Sequence, residues 1–259
     1  MSWPERSPSA AGWPELGRPE LAGPVLVTGT DTGVGKTVVT AALAAAAGSA
    51  GLRVAVIKPA QTGTEASQPP DAAEVARLAA PATARTLVGY PDPLAPLIAA
   101  RVAGRPPLEL YPAVDAVRAE LAGHDLVLVE GAGGLLVPMG VRPGGAAWTV
   151  ADLALLLGAA AVVVARPGLG TLNHTTLTLE ALHRRAVPAR VVIGAWPDLP
   201  EQVHWTNLAE LLPVLAGVLP ERVGKLEPGV FRRSAPGWLT PPLYGVLDDW
   251  RSWAAAEDH

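Results

Sequence analysis

The stretch VTGTDTGVGKTVV, residues 27–39, decides how the rest of the chain is read. It lies between an apolar run, PVLVT at 24–28, and an alanine-rich segment that begins at Lys36. A glycine turn from a strand into a helix is the setting for phosphate binding, because free amides at the helix start face the anion. The usual spacing there is G-x-x-x-x-G-K-[ST]. Gly35, Lys36 and Thr37 supply its end, but Thr30 stands where the leading glycine belongs and Gly29 comes one residue too early. The stretch is therefore either an ordinary glycine turn with a surface lysine, or a longer loop for a particular phosphate chemistry. Gly29, Gly33 and Gly35 allow close backbone approach to a ligand. Lys36 can neutralise a phosphate and the Thr37 hydroxyl can hold Mg²⁺, and the strand–loop–helix context favours this second reading.

Outward from the loop, strand and helix patterns alternate. The helix from Lys36 runs to about Ala50, with Gly51 at its end; RVAVIKP at 53–59 is a strand stopped by proline, and 61–70 is loop. Helical spacing returns over 71–80, while the proline-rich stretch 81–112 shows only a possible helix in PLAPLIAARVAG. A helix at 113–123 precedes the strand HDLVLVEG at 124–131. Helices at 149–157, 173–186 and 205–212 then alternate with strands at 159–165, 190–194 and 214–219, and a last helix is expected near 245–256. Strands that are almost continuously Val, Ile and Leu suit a parallel sheet covered on both faces. The fold class expected is α/β: a doubly wound, mostly parallel sheet flanked by helices, a P-loop NTPase-like three-layer sandwich. One domain over 23–259 follows a proline-rich leader, 1–22, expected to be flexible.

Composition narrows the function. The chain has 259 residues, 49% of them hydrophobic and 17% charged, a folded-protein profile. Net charge is −4 without a dense basic tract, which argues against a nucleic-acid partner. The absence of cysteine excludes disulfides, thiolate metal sites and a cysteine nucleophile. The apolar run 153–165 is too short to span a bilayer, so no membrane association and a cytoplasmic location are expected. The five histidines lack zinc-ligand spacing, and no G-x-S-x-G elbow supports a serine hydrolase.

Six polar side chains stand out at strand or helix ends. Lys58 closes the second strand within IKPAQTG, on the side where ligands bind in an open α/β sheet; it binds an anionic group there or is merely solvated. Thr62, four residues on, offers a hydroxyl or is a turn residue. Glu130 ends an apolar strand and precedes GAGG, a place for a nucleotide-bound magnesium or for an arginine pair. Asp71 suits a helix N-cap at least as well as a metal ligand. Asn173 and His174 begin a helix after the strand ending at 165.

Taken together, GTDTGVGKT at 29–37, KPAQTG at 58–63, VEGAGG at 129–134 and LGTLNH at 169–174 resemble dethiobiotin synthetase, in outline over 24–219. The resemblance implies closure of the ureido ring of biotin's precursor from 7,8-diaminononanoate, CO₂ and a nucleoside triphosphate with Mg²⁺. ATP is the expected phosphoryl donor, with other nucleoside triphosphates open. It implies that Gly33, Val34, Gly35, Lys36 and Thr37 hold the phosphates, with Glu130, Gly131 and Gly133 opposite. Thr37, Asp71 and Glu130 become magnesium ligands, and Lys36 and Lys58 the catalytic lysines. Thr32, Lys58, Thr62, Gly133, Gly170, Thr171 and Asn173 become substrate contacts. The family's diamine meets residues of a second subunit, so a homodimer is implied.

Two departures stand out. The family's common loop is GTDTEVGKT, where this chain has Gly33. At the base-reading strand end, where an Asn-Asp pair is common, the chain reads GAWPDLP, and Trp196 is expected to stack on the base. A cargo-positioning P-loop ATPase would favour an extra lysine early in the loop, where Thr30, Asp31 and Thr32 stand. A glutamine-dependent amide ligase would need a cysteine nucleophile. A noncatalytic nucleotide scaffold would not need Lys58, Asp71 and Glu130 around one phosphate.

Overall fold

The computed structural model describes residues 21–64 and 69–248. Ten strands and eight helices follow one another as β1 (Gly23–Gly29), α1 (Lys36–Ser49), β2 (Val54–Thr62), α2 (Asp71–Ala79), β3 (Thr83–Tyr90), α3 (Pro96–Val102), β4 (Leu108–Glu109) and α4 (Leu110–Leu121). Then come β5 (Leu126–Gly134), β6 (Gly140–Val141), β7 (Ala147–Trp148), α5 (Val150–Leu157), β8 (Ala160–Ala165), α6 (Thr171–His183), β9 (Ala189–Trp196), α7 (Gln202–Leu211), β10 (Leu215–Pro220) and α8 (Pro228–Ser234).

Seven strands form one parallel sheet in the order β10-β9-β8-β1-β5-β2-β3. β4, β6 and β7 make a small second sheet, to which Trp148 Nε1 is tied by donating to the Leu108 carbonyl at 3.1 Å. The alternation of strand side chains splits the core in two. Leu26, Ile57, Val129, Val163 and Ile193 pack with α4, α5, α6 and α7. Val25, Val27, Val56, Leu128 and Val164 pack with α1, α2 and α8. This is the expected three-layer, doubly wound sandwich. Chain direction across the sheet reverses around β1, the kind of switch point at whose strand ends α/β proteins bind ligands.

Local chemistry explains most boundaries. Ten of the fourteen residues of α1 are buried, and its run of alanines combines high helix propensity with close approach to the sheet. Gly35, at φ 96°, turns the chain into α1. α5 opens on a reciprocal cap between Thr149 and Asp152 and closes on Gly158 at φ 63°.

Several expectations are corrected. β2 does not stop at Pro59 but runs to Thr62. Its pairing with β5 ends at Ile57, so further on it has a neighbour on one side only, β3, and proline's missing N–H removes no bond from the ladder. The stretch 81–112 contains the edge strand β3 as well as the expected helix. β3 is half-exposed along most of its length, which is why TARTLVGY carries no continuous apolar run. Asp71 is the first residue of α2, with Pro70 in the cap position. Residues 245–248 are not helical, and the remainder of the helix expected at 245–256 lies outside the described residues. The C-terminal side is covered instead by α8 and short 3₁₀ turns, where Phe231 and Trp238 meet edge-on at 5.3 Å. Leu21 is fully buried, and the Tyr244 hydroxyl donates to its carbonyl.

Candidate active site

Parallel pairing brings the carboxyl ends of β1, β2 and β5 together. Val27 stands beside Glu130 and Gly29 beside Gly134, so the 29–37 loop faces the VEGAGG turn. Thr37, in the first turn of α1, donates from Oγ1 to Glu130 Oε1 at 2.9 Å. Lys58 Nζ reaches three oxygens: Asp71 Oδ2 at 2.6 Å, Glu130 Oε1 at 2.8 Å and the Gly131 carbonyl at 2.9 Å. Glu130 is 1% exposed and Lys58 3%, so the pair is closed off from water. Three acceptors match the three donors of an ammonium. Burial works against the Lys58 charge, but Glu130 and Asp71 outweigh it and hold the ammonium above its ordinary range.

Lys36 sits under different forces. Its Nζ donates to the Asp31 carbonyl at 2.8 Å, folding the side chain back over its own loop. Burial, reinforced by repulsion from Lys58, pulls its pKa down to about 8, with Glu130, Asp71 and Asp31 only partly offsetting them. An ammonium that is buried and short of a counter-charge is primed for an incoming anion.

The loop's glycines are used in specific ways. Gly33 has φ 76°, a left-handed conformation that strains a larger residue, so glycine fits the position where the family's common form has glutamate. Gly35 lies against β9: a Cβ there would meet the Gly194 carbonyl oxygen at 2.8 Å, and a Cβ on Gly194 would meet the Val34 carbonyl oxygen at 2.0 Å. Val34 itself is buried. On the other side, a Cβ on Gly133 (φ 64°) would lie 3.5 Å from Thr32 Oγ1, which places the two expected substrate-contacting residues side by side.

Thr37, Asp71 and Glu130 thus gather at one point with Lys58 between the two carboxylates. Among the described residues no group of three or more His, Cys, Asp or Glu forms a metal cage. One hydroxyl and two carboxylates fit an ion that takes its other ligands from phosphate and water, as Mg²⁺ does. The Lys58 ammonium marks this as a place where a cation is needed.

The other expected residues lie farther out. Thr62 is half-buried at the end of β2, and the Gln61 side-chain amide donates to its carbonyl at 3.1 Å. Gly170, at φ 89°, leads into α6, and Asn173 is exposed on its first turn. Two side chains are not placed as expected. Thr171 is 0% exposed, its hydroxyl facing the core from α6. Trp196 is also 0% exposed, edge-on to Trp205 at 5.0 Å and to His204 at 6.1 Å. Its ring is part of the core and presents no face for a base to stack on.

Three positioning residues escaped the sequence reading. Gln61 Oε1 accepts the Asp71 N–H at 3.1 Å, fixing the start of α2 against β2. Arg166, just past β8, donates to Asp31 Oδ2 at 2.5 Å and ties the phosphate loop to the segment leading into α6. Gly194 supplies the flat backbone on which the loop rests. Gln61 lies within KPAQTG and Gly194 opens GAWPDLP, but their contacts join segments far apart in sequence and only the folded chain reveals them. Asn207 adds a further tie by donating to the Pro167 and Gly168 carbonyls at 2.9 and 3.1 Å.

The chain is similar to known proteins along most of its length. A family model described as an AAA domain matches residues 24–223. The chain is 51% identical over 229 residues to the ATP-dependent dethiobiotin synthetase BioD of Streptomyces avermitilis, covering 86% of this chain and 94% of that protein. It is 52% identical over 221 residues to the protein of the same name from Rhodococcus jostii, covering 83% and 94%. With that of Saccharopolyspora erythraea it shares 51% over 226 residues, covering 85% and 97%. Identity at this level over nearly the whole length of each relative means that the chain belongs to the dethiobiotin synthetase family.

Proposed function

We propose that the protein is an ATP-dependent dethiobiotin synthetase, which closes a cyclic urea from 7,8-diaminononanoate and CO₂ with release of ADP and phosphate. The observation that carries this reading is the linkage of Thr37, Lys58, Asp71 and Glu130 through bonds of 2.6–2.9 Å beside the phosphate loop. It is a site for a phosphate–cation pair with a second lysine in reach.

In this reading CO₂ first adds to one amine of the diamine to give a carbamate. The carbamate oxygen attacks the γ-phosphate, and the second amine then displaces phosphate from the mixed anhydride to close the ring. The chain's part is positioning and charge compensation. Lys36 leaves the Asp31 carbonyl for the transferring phosphate, and the loop amides through Thr37 hold the rest of the triphosphate. Lys58, Thr62 and Thr32 line the side from which the carbamate approaches, with Gly131 and Gly133 giving it room. Thr37, Asp71 and Glu130 would hold Mg²⁺, which supplies charge neutralisation on the phosphates when bound.

Asn173 and Gly170 are assigned to the diamine through a homodimer. The 87% exposure of Leu169, directly before them, and the 57% exposure of Leu177 on α6 support a partner covering this region. Base preference is assigned to ATP through the relatives' names, without a contribution from the Trp196 ring.

The deciding experiment incubates purified protein with the diamine, bicarbonate, MgCl₂ and ATP, GTP or CTP in turn, and follows the cyclic urea by mass spectrometry. Product with at least one nucleotide is expected. No product with any of the three sinks the assignment.

A further inference from the structure

Lys58 occupies the place that the proposed function gives to a metal ion. Its ammonium lies 2.6 Å from Asp71 Oδ2 and 2.8 Å from Glu130 Oε1, and Thr37 Oγ1 donates to that same Glu130 oxygen at 2.9 Å. All three residues assigned to the cation are therefore engaged by Lys58 directly or share an oxygen with it. Glu130, 1% exposed, cannot stand uncompensated. Lys58 supplies that compensation, and the Gly131 carbonyl at 2.9 Å fills its third donor position.

We propose that Lys58 is an internal counter-ion that keeps the cation site closed in the nucleotide-free protein, and that it exchanges with the metal rather than coexisting with it in this position. A divalent ion bound to Glu130 and Asp71 sits roughly 2.1 Å from their oxygens. With the ammonium held on the same oxygens, the two cations would lie only about 4 Å apart, where repulsion is worth several-fold more than thermal energy even with protein screening. Entry of the metal expels the ammonium. Lys58 is anchored in β2, just past the last residue paired with β5, and swings on a flexible four-carbon stem, so it turns to the next anionic group in reach, the phosphate or carbamate side of the site. The lysine is thus free for the reaction only once the metal has arrived, and metal without phosphate binds weakly because it must displace Lys58 with nothing to receive it.

The inference rests on the assignment of Thr37, Asp71 and Glu130 to a cation, and its test does not use turnover. Mn²⁺ binding is measured by electron paramagnetic resonance, without nucleotide or diamine, for the wild type and for Lys58→Met. The variant is expected to bind Mn²⁺ about tenfold or more tightly, because the competing cation is gone. Equal or weaker binding overturns the exchange. Should Lys58→Met fold only when Mn²⁺ is present, its unfolding on chelation, with the wild type unaffected, gives the same answer. A second readout needs no variant: in ¹⁵N-lysine-labelled wild type, a protected ammonium signal is expected without metal and lost on adding Mg²⁺ with ADP. A signal unmoved by Mg²⁺ and ADP also overturns it. A protein that shows the exchange yet makes no cyclic urea would refute the proposed activity and leave the exchange standing.

Discussion

Thr37 Oγ1 donates to Glu130 Oε1 across 2.9 Å, joining the first turn of α1 to the middle of β5 over 93 residues of sequence. The bond fixes the hydroxyl that follows the phosphate-loop lysine and the carboxylate of VEGAGG relative to each other before any ligand arrives. Thr37→Val keeps the shape and removes the hydroxyl. Product formation with saturating Mg²⁺ and nucleotide is expected to fall on the order of 10²-fold, the scale of losing one preorganised polar group. Thr37→Ser, which keeps the donor, should stay within about tenfold of wild type. Equal losses in both variants would mean that the methyl group matters and the hydroxyl does not.

Lys36 is held charged against the preference of its surroundings, as its pKa near 8 records. Its removal should therefore leave the melting temperature unchanged or raised, while turnover falls on the order of 10³-fold, as for loss of a cation that meets the transferring phosphoryl group. Preserved turnover in Lys36→Ala would rule out its role.

Gly194 rests under the phosphate loop, with room for no side chain. In Gly194→Ala the new methyl would fall 2.0 Å from the Val34 carbonyl oxygen, so loop or strand must shift. Overpacking of this kind costs about 1–3 kcal/mol. Calorimetric binding of Mg-nucleotide is expected to weaken more than binding of the diamine. An unchanged nucleotide affinity would show that the loop can slide on β9.

Asp31 and Arg166 form a half-exposed ion pair at 2.5 Å, which contributes up to about 1 kcal/mol. Asp31→Asn should weaken nucleotide binding by about two- to fivefold. The Thr32 N–H, followed by Arg166, holds the Asp31 carboxyl below its usual value. A depressed carboxylate contributes fully above its unfolded value and loses that contribution as pH falls through the folded one. The wild-type-to-variant ratio should therefore stay constant from pH 5 to 8 and shrink only in stronger acid. A ratio that changes near neutrality would point to another group.

The parts of the fold that were legible in the sequence are those whose chemistry is local. The inner parts of these strands, 25–27, 126–129 and 161–165, are buried and carry unbroken apolar sequence, so β1, β5 and β8 are visible without partners. β3 is an edge strand and α8 a seven-residue helix with a single fully buried residue, Phe231, so neither leaves a periodic trace. The same distinction divides the site. Lys36, Thr37, Lys58 and Glu130 fall in motifs or at strand ends and could be named beforehand. Asp71 looked equally like a cap, because what bears on it is not local: Pro70 takes the cap position and Lys58, from β2, meets the Asp71 carboxylate. Trp196 misled because an aromatic at a strand end looks accessible until α7 is placed over it.

The contact between Leu21 and Tyr244 has a practical consequence. Leu21 precedes β1, whereas the phosphate loop follows it, so this contact lies at the amino end of the central strand, opposite the loop. The chain enters the described fold at that end, and the Tyr244 hydroxyl, close to the last described residues, reaches it there. A fusion joined directly at Leu21 would therefore begin at the end of β1 remote from the phosphate loop.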